Sequence, residues 1–129
     1  MGTKYRLAGP TDLVSVATLL NKHFRGHSLE ELMAEYTSIL VNPFEAVFLA
    51  FDQKKAIGVA HAILRKESIK GTGGDYFGYL EVFHTEPGVP SSVTEGLVTR
   101  CERWAEKRGR VLFADDDEFD ITKSIKFIL

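Results

Sequence analysis

The chain has 129 residues, 44% of them apolar and 26% charged, with a formal net charge of −2. Such a composition predicts one soluble domain over residues 1–129 with a real core, and its balanced charges leave no broad basic face for a nucleic-acid backbone. The single Cys101 excludes an internal disulfide, and neither a leader-like apolar core nor an apolar run of membrane-spanning length stands out; a cytoplasmic protein without membrane or nucleic-acid partners is expected.

In chain order, residues 4–8 read as a short strand closed by Gly9 and Pro10. Thr11 or Asp12 then opens a helix whose buried face is Leu13, Val16, Ala17, Leu20 and Phe24, with Thr11 a candidate N-cap and Gly26 the stop. A second helix starts at Ser28, with Glu31 completing a capping box. It carries Leu29, Leu32, Met33, Tyr36, Ile39 and Leu40 on its apolar stripe and ends at Asn42 and Pro43. His23 and His27 flank the break between the helices. No third ligand is evident nearby, so no metal is expected there.

Residues 46–51 are nearly all apolar, as in a strand covered on both faces. After a turn at 52–55, residues 56–67 alternate: Ile57, Val59, His61 and Ile63 point one way, and Gly58, Ala60, Ala62 and Leu64 the other. The small residues of the second set leave room for a closely packed helix. His61, among apolar neighbours, is expected to be a hydrogen-bonded core histidine. The glycines over 70–75 lead into another strand and not into a helix, so they predict a hairpin turn and not a phosphate loop. In that strand, 76–84, Phe77, Tyr79, Glu81 and Phe83 fall on one face. Desolvation of a carboxylate in an aromatic row would raise its pKa toward the range useful for proton transfer; a glutamate at a sheet rim is the plainer alternative.

The strand at 79–83, a turn with Pro87, Gly88 and Pro90, an amphipathic helix over about 92–108 and a strand at 111–114 make a βαβ unit. Val93, Leu97, Val98, Cys101, Trp104 and Ala105 form the helix's apolar stripe, which predicts a buried structural thiol at Cys101. Ser92 and Glu95 read as a capping box. Ligands of such sheets sit beyond the carboxyl ends of the strands, just after Phe83 and Ala114. After Ala114 come Asp115, Asp116, Asp117, Glu118 and Asp120, either a solvated acidic loop or a rim attractive to cations.

The order of elements resembles the GNAT acetyltransferases, and the wording resembles their aminoglycoside 6′-N-acetyltransferase branch. Three places carry the likeness: Arg65, Lys66 and Glu67 with Gly71 and Thr72; Gly78, Tyr79, Leu80 and Glu81; and Glu102, Arg103, Trp104 and Ala105 followed by Phe113, Ala114, Asp115 and Asp116. The resemblance implies an α/β (α+β) fold, a mixed and mostly antiparallel sheet flanked by helices on both faces. It implies acetyl transfer from acetyl-CoA to an amine of a cationic small molecule, as in antibiotic resistance. Glu81 and Asp116 would be catalytic, with Tyr79, Asp115 and Asp117 binding the acceptor and Phe83, Thr85, Ser91, Ser92 and Val93 binding the cofactor.

The sequence departs from that family at the cofactor turn. The family holds the pyrophosphate on a Q/R-x-x-G-x-G/A turn; here the basic residue and the glycine pattern are missing, Pro87 and Pro90 lack N–H groups, Glu86 adds a negative charge, and the Ser92 and Glu95 box would occupy donors. The family's closing strand pair is also largely missing after Asp120; a homodimer completed by the partner's tail is expected, with a disordered tail as the plainer alternative. The alternative is a catalytically inactive GNAT-like protein that binds a cationic ligand or a partner protein through an acidic pocket.

Overall fold

Five strands form one sheet in the computed structural model, which describes residues 2–66, 76–110 and 112–114. The expectations for the turn at 70–75, for the acidic run after Ala114 and for a dimer-forming tail fall outside those residues. Strands β1 (Lys4–Leu7), β2 (Glu45–Asp52), β3 (Lys55–Lys66) and β4 (Tyr76–Thr85) are antiparallel in sequence order. Strand β5 (Leu112–Ala114) lies parallel to β4, closing the predicted βαβ unit through α3 (Ser91–Glu106). Helices α1 (Leu13–His23) and α2 (Leu29–Ile39) precede β2.

Alternation along β2 and β3 sorts the core into two layers. Ala46, Ala50, Ala60, Ala62 and Leu64 form a floor under Val93, Leu97, Cys101, Trp104 and Ala105 of α3. Val47, Leu49, Val59 and Val82 meet Val16, Ala17 and Leu20 of α1 and Leu32 and Tyr36 of α2 on the other face. Helices thus cover both faces of a mixed, mostly antiparallel sheet. The alanine floor lets α3 ride close: a Cβ built on Gly58 would stand 3.0 Å from Leu97 Cδ1. Cys101 is fully buried, and burial pushes its thiol up to about 12.

Two bulges interrupt the alternation. Opposite β2, Ala50 pairs with Gly58 and Phe51 with Ala56, so Ile57 is the extra residue and packs with the α3 layer instead of with Val59 and His61. The second bulge, in β4, shapes the site below.

The entry into α1 also differs from the sequence reading. The chain first makes a 3-10 turn, Pro10–Asp12, and Thr11 caps nothing. Asp12 organises this corner instead: Oδ2 accepts from the Gly9 N–H at 3.0 Å and Oδ1 accepts from the Arg6 guanidinium. Burial opposes the charge on Asp12, but the Arg6 hydrogen bond, the Gly9 N–H and the Arg6 charge outweigh it and hold the carboxyl below its usual range. A depressed folded-state pKa gives stability that is present above the unfolded-state value and is lost as pH falls through the folded one. Asp12→Asn should therefore lower the melting temperature at neutral pH, and melts taken down into acid should bring the variant and wild-type values together. Helix α2 begins as expected, with Ser28 Oγ accepting from the Glu31 N–H at 3.1 Å and Glu31 Oε1 accepting from the Ser28 N–H at 2.8 Å.

Candidate functional site

The β3–β4 ladder pairs His61 with Val82 and then Ala62 with Leu80, which leaves Glu81 unpaired as an extra residue in β4. This bulge reverses the strand's facing. Tyr79, opposite Ile63, lies on the α1–α2 face, whereas Phe83, opposite Ala60, turns to the α3 face and is 43% exposed. Phe77, Tyr79, Glu81 and Phe83 therefore do not form the single row that strict alternation predicts. Pairing with β5 ends at Leu80 and Ala114, immediately before Glu81. From there to Thr85 the β4 edge has no strand partner among the described residues.

Glu81 borders a cavity of 220 Å³ between the sheet and α2, lined also by Phe24, His27, Leu32, Glu35, Tyr36, His61 and Val82. Its carboxylate is not sequestered among aromatic rings. It is 35% exposed and accepts from the guanidinium of Arg65, which stacks 4.3 Å over the Tyr79 ring. Glu35 and Glu81 bring two carboxylates to the cavity, and Arg65 already offsets the charge of Glu81.

His61 is the hydrogen-bonded core histidine expected, and its partners were not visible in the sequence. Its Nδ1 lies 2.9 Å from the Tyr36 hydroxyl and its Nε2 lies 2.8 Å from Glu45 Oε1. Asn42 Nδ2 donates to the other Glu45 oxygen at 3.1 Å. With Glu45 ionised, Nε2 carries the hydrogen and Nδ1 accepts from the Tyr36 O–H, an assignment that follows from the partners. Burial, with the charges of Glu35, Glu45 and Glu81, raises the Tyr36 phenol above its ordinary value. Tyr36 reads as part of an apolar stripe, and Glu45 lies one residue outside the predicted strand. Extending that strand by one residue would have put Glu45 on the face of Val47, diagonal to His61.

The turn before α3 corrects the sequence reading. Pro90, extended at φ −60° and ψ 148°, is the N-cap, so Ser91 and Ser92 already lie in the first turn and the Ser92–Glu95 box does not form. The carboxylate of Glu86 is taken up by Lys22 of α1, whose hydrogen bond holds it below its usual range, and His84 Nε2 stands 3.6 Å from it. Of the objections to an anion at this turn, the missing basic residue and glycine pattern and the missing N–H groups of Pro87 and Pro90 remain. Gly88, at φ 82°, makes the bend that a side chain would strain.

Among the predicted cofactor residues, Ser91 and Ser92 are exposed on the first turn and Thr85 packs against Gly58. The Val93 side chain is 2% exposed in the core, and its N–H donates to the Pro90 carbonyl at 3.0 Å. Glu81 is the bulge residue and Tyr79 stands two residues before it, opposite Ile63. Asp115, Asp116 and Asp117 lie outside the described residues, directly after Ala114, which is in register with Leu80. Among the described residues no group of three or more His, Cys, Asp or Glu side chains is placed to hold a metal, and no helix is long and apolar enough to cross a membrane.

No family model matches the chain, and no curated protein matches it. Solved structures do. The chain is 25% identical to the aminoglycoside N-acetyltransferase AAC(6′)-Iy in complex with CoA, over 97% of this chain and 83% of that one, with a TM-score of 0.80. The same enzyme in complex with the bisubstrate analogue CoA-S-monomethyl-acetylneamine matches with the same identity and TM-score, over 98% of this chain and 86% of that one. The 6′-N-acetyltransferase AAC(6′)-IG from Acinetobacter haemolyticus is 26% identical over 95% of this chain and 85% of that one, with a TM-score of 0.77. The chain thus has the fold of the GNAT acetyltransferases and, along nearly its whole length, resembles their aminoglycoside 6′-N-acetyltransferases.

Proposed function

We propose that the protein is an acetyl-CoA-dependent N-acetyltransferase acting on an amine of a cationic small molecule, of the aminoglycoside 6′ type. The observation that supports the reading is the β4 bulge, where a cavity bearing Glu35 and Glu81 on one face adjoins a strand edge that has no partner strand among the described residues and leads to the α3 N-terminus. Backbone groups of β4 from Phe83 to Thr85, with the first-turn N–H groups at Ser91 and Ser92, fit an elongated thioester ending in phosphates, since helix N-termini favour anions. Lys22 offsets Glu86 beside them. Bound there, acetyl-CoA supplies the activated acyl group. The acceptor ammonium is held by Glu81 with Tyr79, Asp115, Asp116 and Asp117, and Glu81 and Asp116 help it lose the proton that blocks attack.

Release of CoA thiol from acetyl-CoA in the presence of polyamine sugars such as neamine tests this reading. Turnover should appear with primary amines and fall as salt is added, because screening weakens attraction between separated charges. Glu81→Gln should weaken neamine binding at least tenfold, in keeping with about 1.5–3 kcal/mol for a hydrogen bond to a charged group. The second reading, a silent module that binds a cationic ligand or a partner protein, is favoured by one observation: Arg65 already partners Glu81. It predicts neamine binding without thiol release.

A further inference from the structure

The cavity holds a set of groups that neither the acidic site nor the cofactor turn uses. Tyr36, His61 and Glu45 come from α2, β3 and β2 and lie in line, joined by hydrogen bonds of 2.9 and 2.8 Å. Tyr36 and His61 are 4% and 5% exposed, yet both line the cavity that Glu81 borders. A buried histidine with one nitrogen on a carboxylate and the other on a hydroxyl has a fixed tautomer, one proton-accepting position and a counter-ion for the charge it would gain. Among the described residues the other charged or titratable groups around it are Glu35 from α2, His27 from the loop between α1 and α2, and Glu81 from β4 with its partner Arg65 from β3.

We infer that Tyr36, His61 and Glu45 form the relay that takes up the proton of the acceptor ammonium, while Glu81 and Asp116 help by binding that ammonium, a step that rests on the acetyl-transfer reading. The ammonium N–H donates to Tyr36 Oη while the Tyr36 proton passes to His61 Nδ1. The phenol stays neutral throughout, as its buried setting among three carboxylates demands. His61 becomes an imidazolium held by the Glu45 carboxylate. The freed lone pair then forms the N–C bond at the thioester carbonyl, the C–S bond breaks, and the thiolate leaves and takes up the proton that the new amide nitrogen sheds. His61 returns its proton to water, so one proton is released per turnover. Tyr36 touches the acceptor, whereas His61 and Glu45 act through it as positioning and proton-storing residues.

The decisive variant is His61→Gln, because glutamine can accept from the Tyr36 hydroxyl and donate to Glu45 yet has no basic nitrogen. Acetylation is measured against pH with two acceptors: neamine, whose amines are protonated, and methoxyamine, whose nitrogen is neutral at the assay pH. With neamine, kcat/KM should fall about 10²-fold or more, the acid limb of the pH profile should move to higher pH, toward the ionisation of the amine itself, and the KM for acetyl-CoA should stay in place. With methoxyamine the rate should change little. Tyr36→Phe should behave alike; if it melts below the assay temperature, His61→Gln decides. Full activity of His61→Gln with neamine, or equal losses with both acceptors, overturns the relay and leaves the acetyl-transfer reading intact. Absence of thiol release from the wild-type protein with every primary amine overturns that reading and the relay with it.

Discussion

Gly96→Ala is expected to destabilise the protein, although alanine is the better helix former. In an exposed helix interior the change would add roughly 1 kcal/mol of stability. Here a Cβ at residue 96 would stand 2.2 Å from the Tyr5 hydroxyl oxygen, 2.4 Å from its Cζ and 2.8 Å from its Cε1. Tyr5 reaches from β1 across the sheet's α3 face and packs on that layer, with the Arg100 guanidinium 4.8 Å over its ring. The ring must leave this seat, and forcing extra atoms into a packed contact costs about 1–3 kcal/mol, sometimes more. Urea unfolding should show the midpoint falling. In a Tyr5→Ala background the same substitution should become neutral or stabilising, since the obstruction has gone. A loss of equal size in both backgrounds would exclude Tyr5 as the cause.

Leu97→Ala should cost about 2–5 kcal/mol, the range for emptying a fully buried leucine site. Leu97 is 0% exposed in the middle of α3 and rests directly on Gly58 of β3. Two partly rigid surfaces face the void, a helix and a sheet, so collapse is limited. Gly58→Ala should therefore change sign with context. In the native background its methyl would press on Leu97 at 3.0 Å and Thr85 Cγ2 at 3.3 Å, whereas in Leu97→Ala it would fill space and restore part of the lost stability. Chemical denaturation of the four proteins in this cycle provides the check.

Periodicity made most of the fold legible. The pattern of Gly58, Ala60 and Ala62 against Val59 and His61 named the two faces of β3, and the stripe from Val93 to Ala105 named the buried side of α3. Both signals are repeated over several turns or residue pairs, so one atypical residue does not erase them. The bulges at Ile57 and Glu81 left no such mark, because an extra residue in one strand is defined by its partner's register and not by its own composition. For that reason Glu81 was recognisable as a candidate while the separation of Tyr79 from Phe83 was not. The Ser92 and Glu95 box failed for a related reason. Pro90, with its fixed φ, supplied the cap conformation two residues earlier, and no side-chain pattern records that choice. Tyr36 and Glu45 were hidden by long-range contacts, as neither residue lies within 15 positions of His61 along the chain.

In the proposed reading, the β4 edge beyond Leu80, which has no partner strand among the described residues, and the first turn of α3 hold acetyl-CoA beside the cavity. Calorimetric titration of the protein with acetyl-CoA, repeated with acetylated pantetheine, tests it most directly. Saturable binding of acetyl-CoA, much weaker for the form without the pyrophosphate, is the result the proposed reading predicts, since helix N-termini favour anions and Lys22 pairs with Glu86 beside this one. No heat and no thermal shift at millimolar acetyl-CoA would contradict the account.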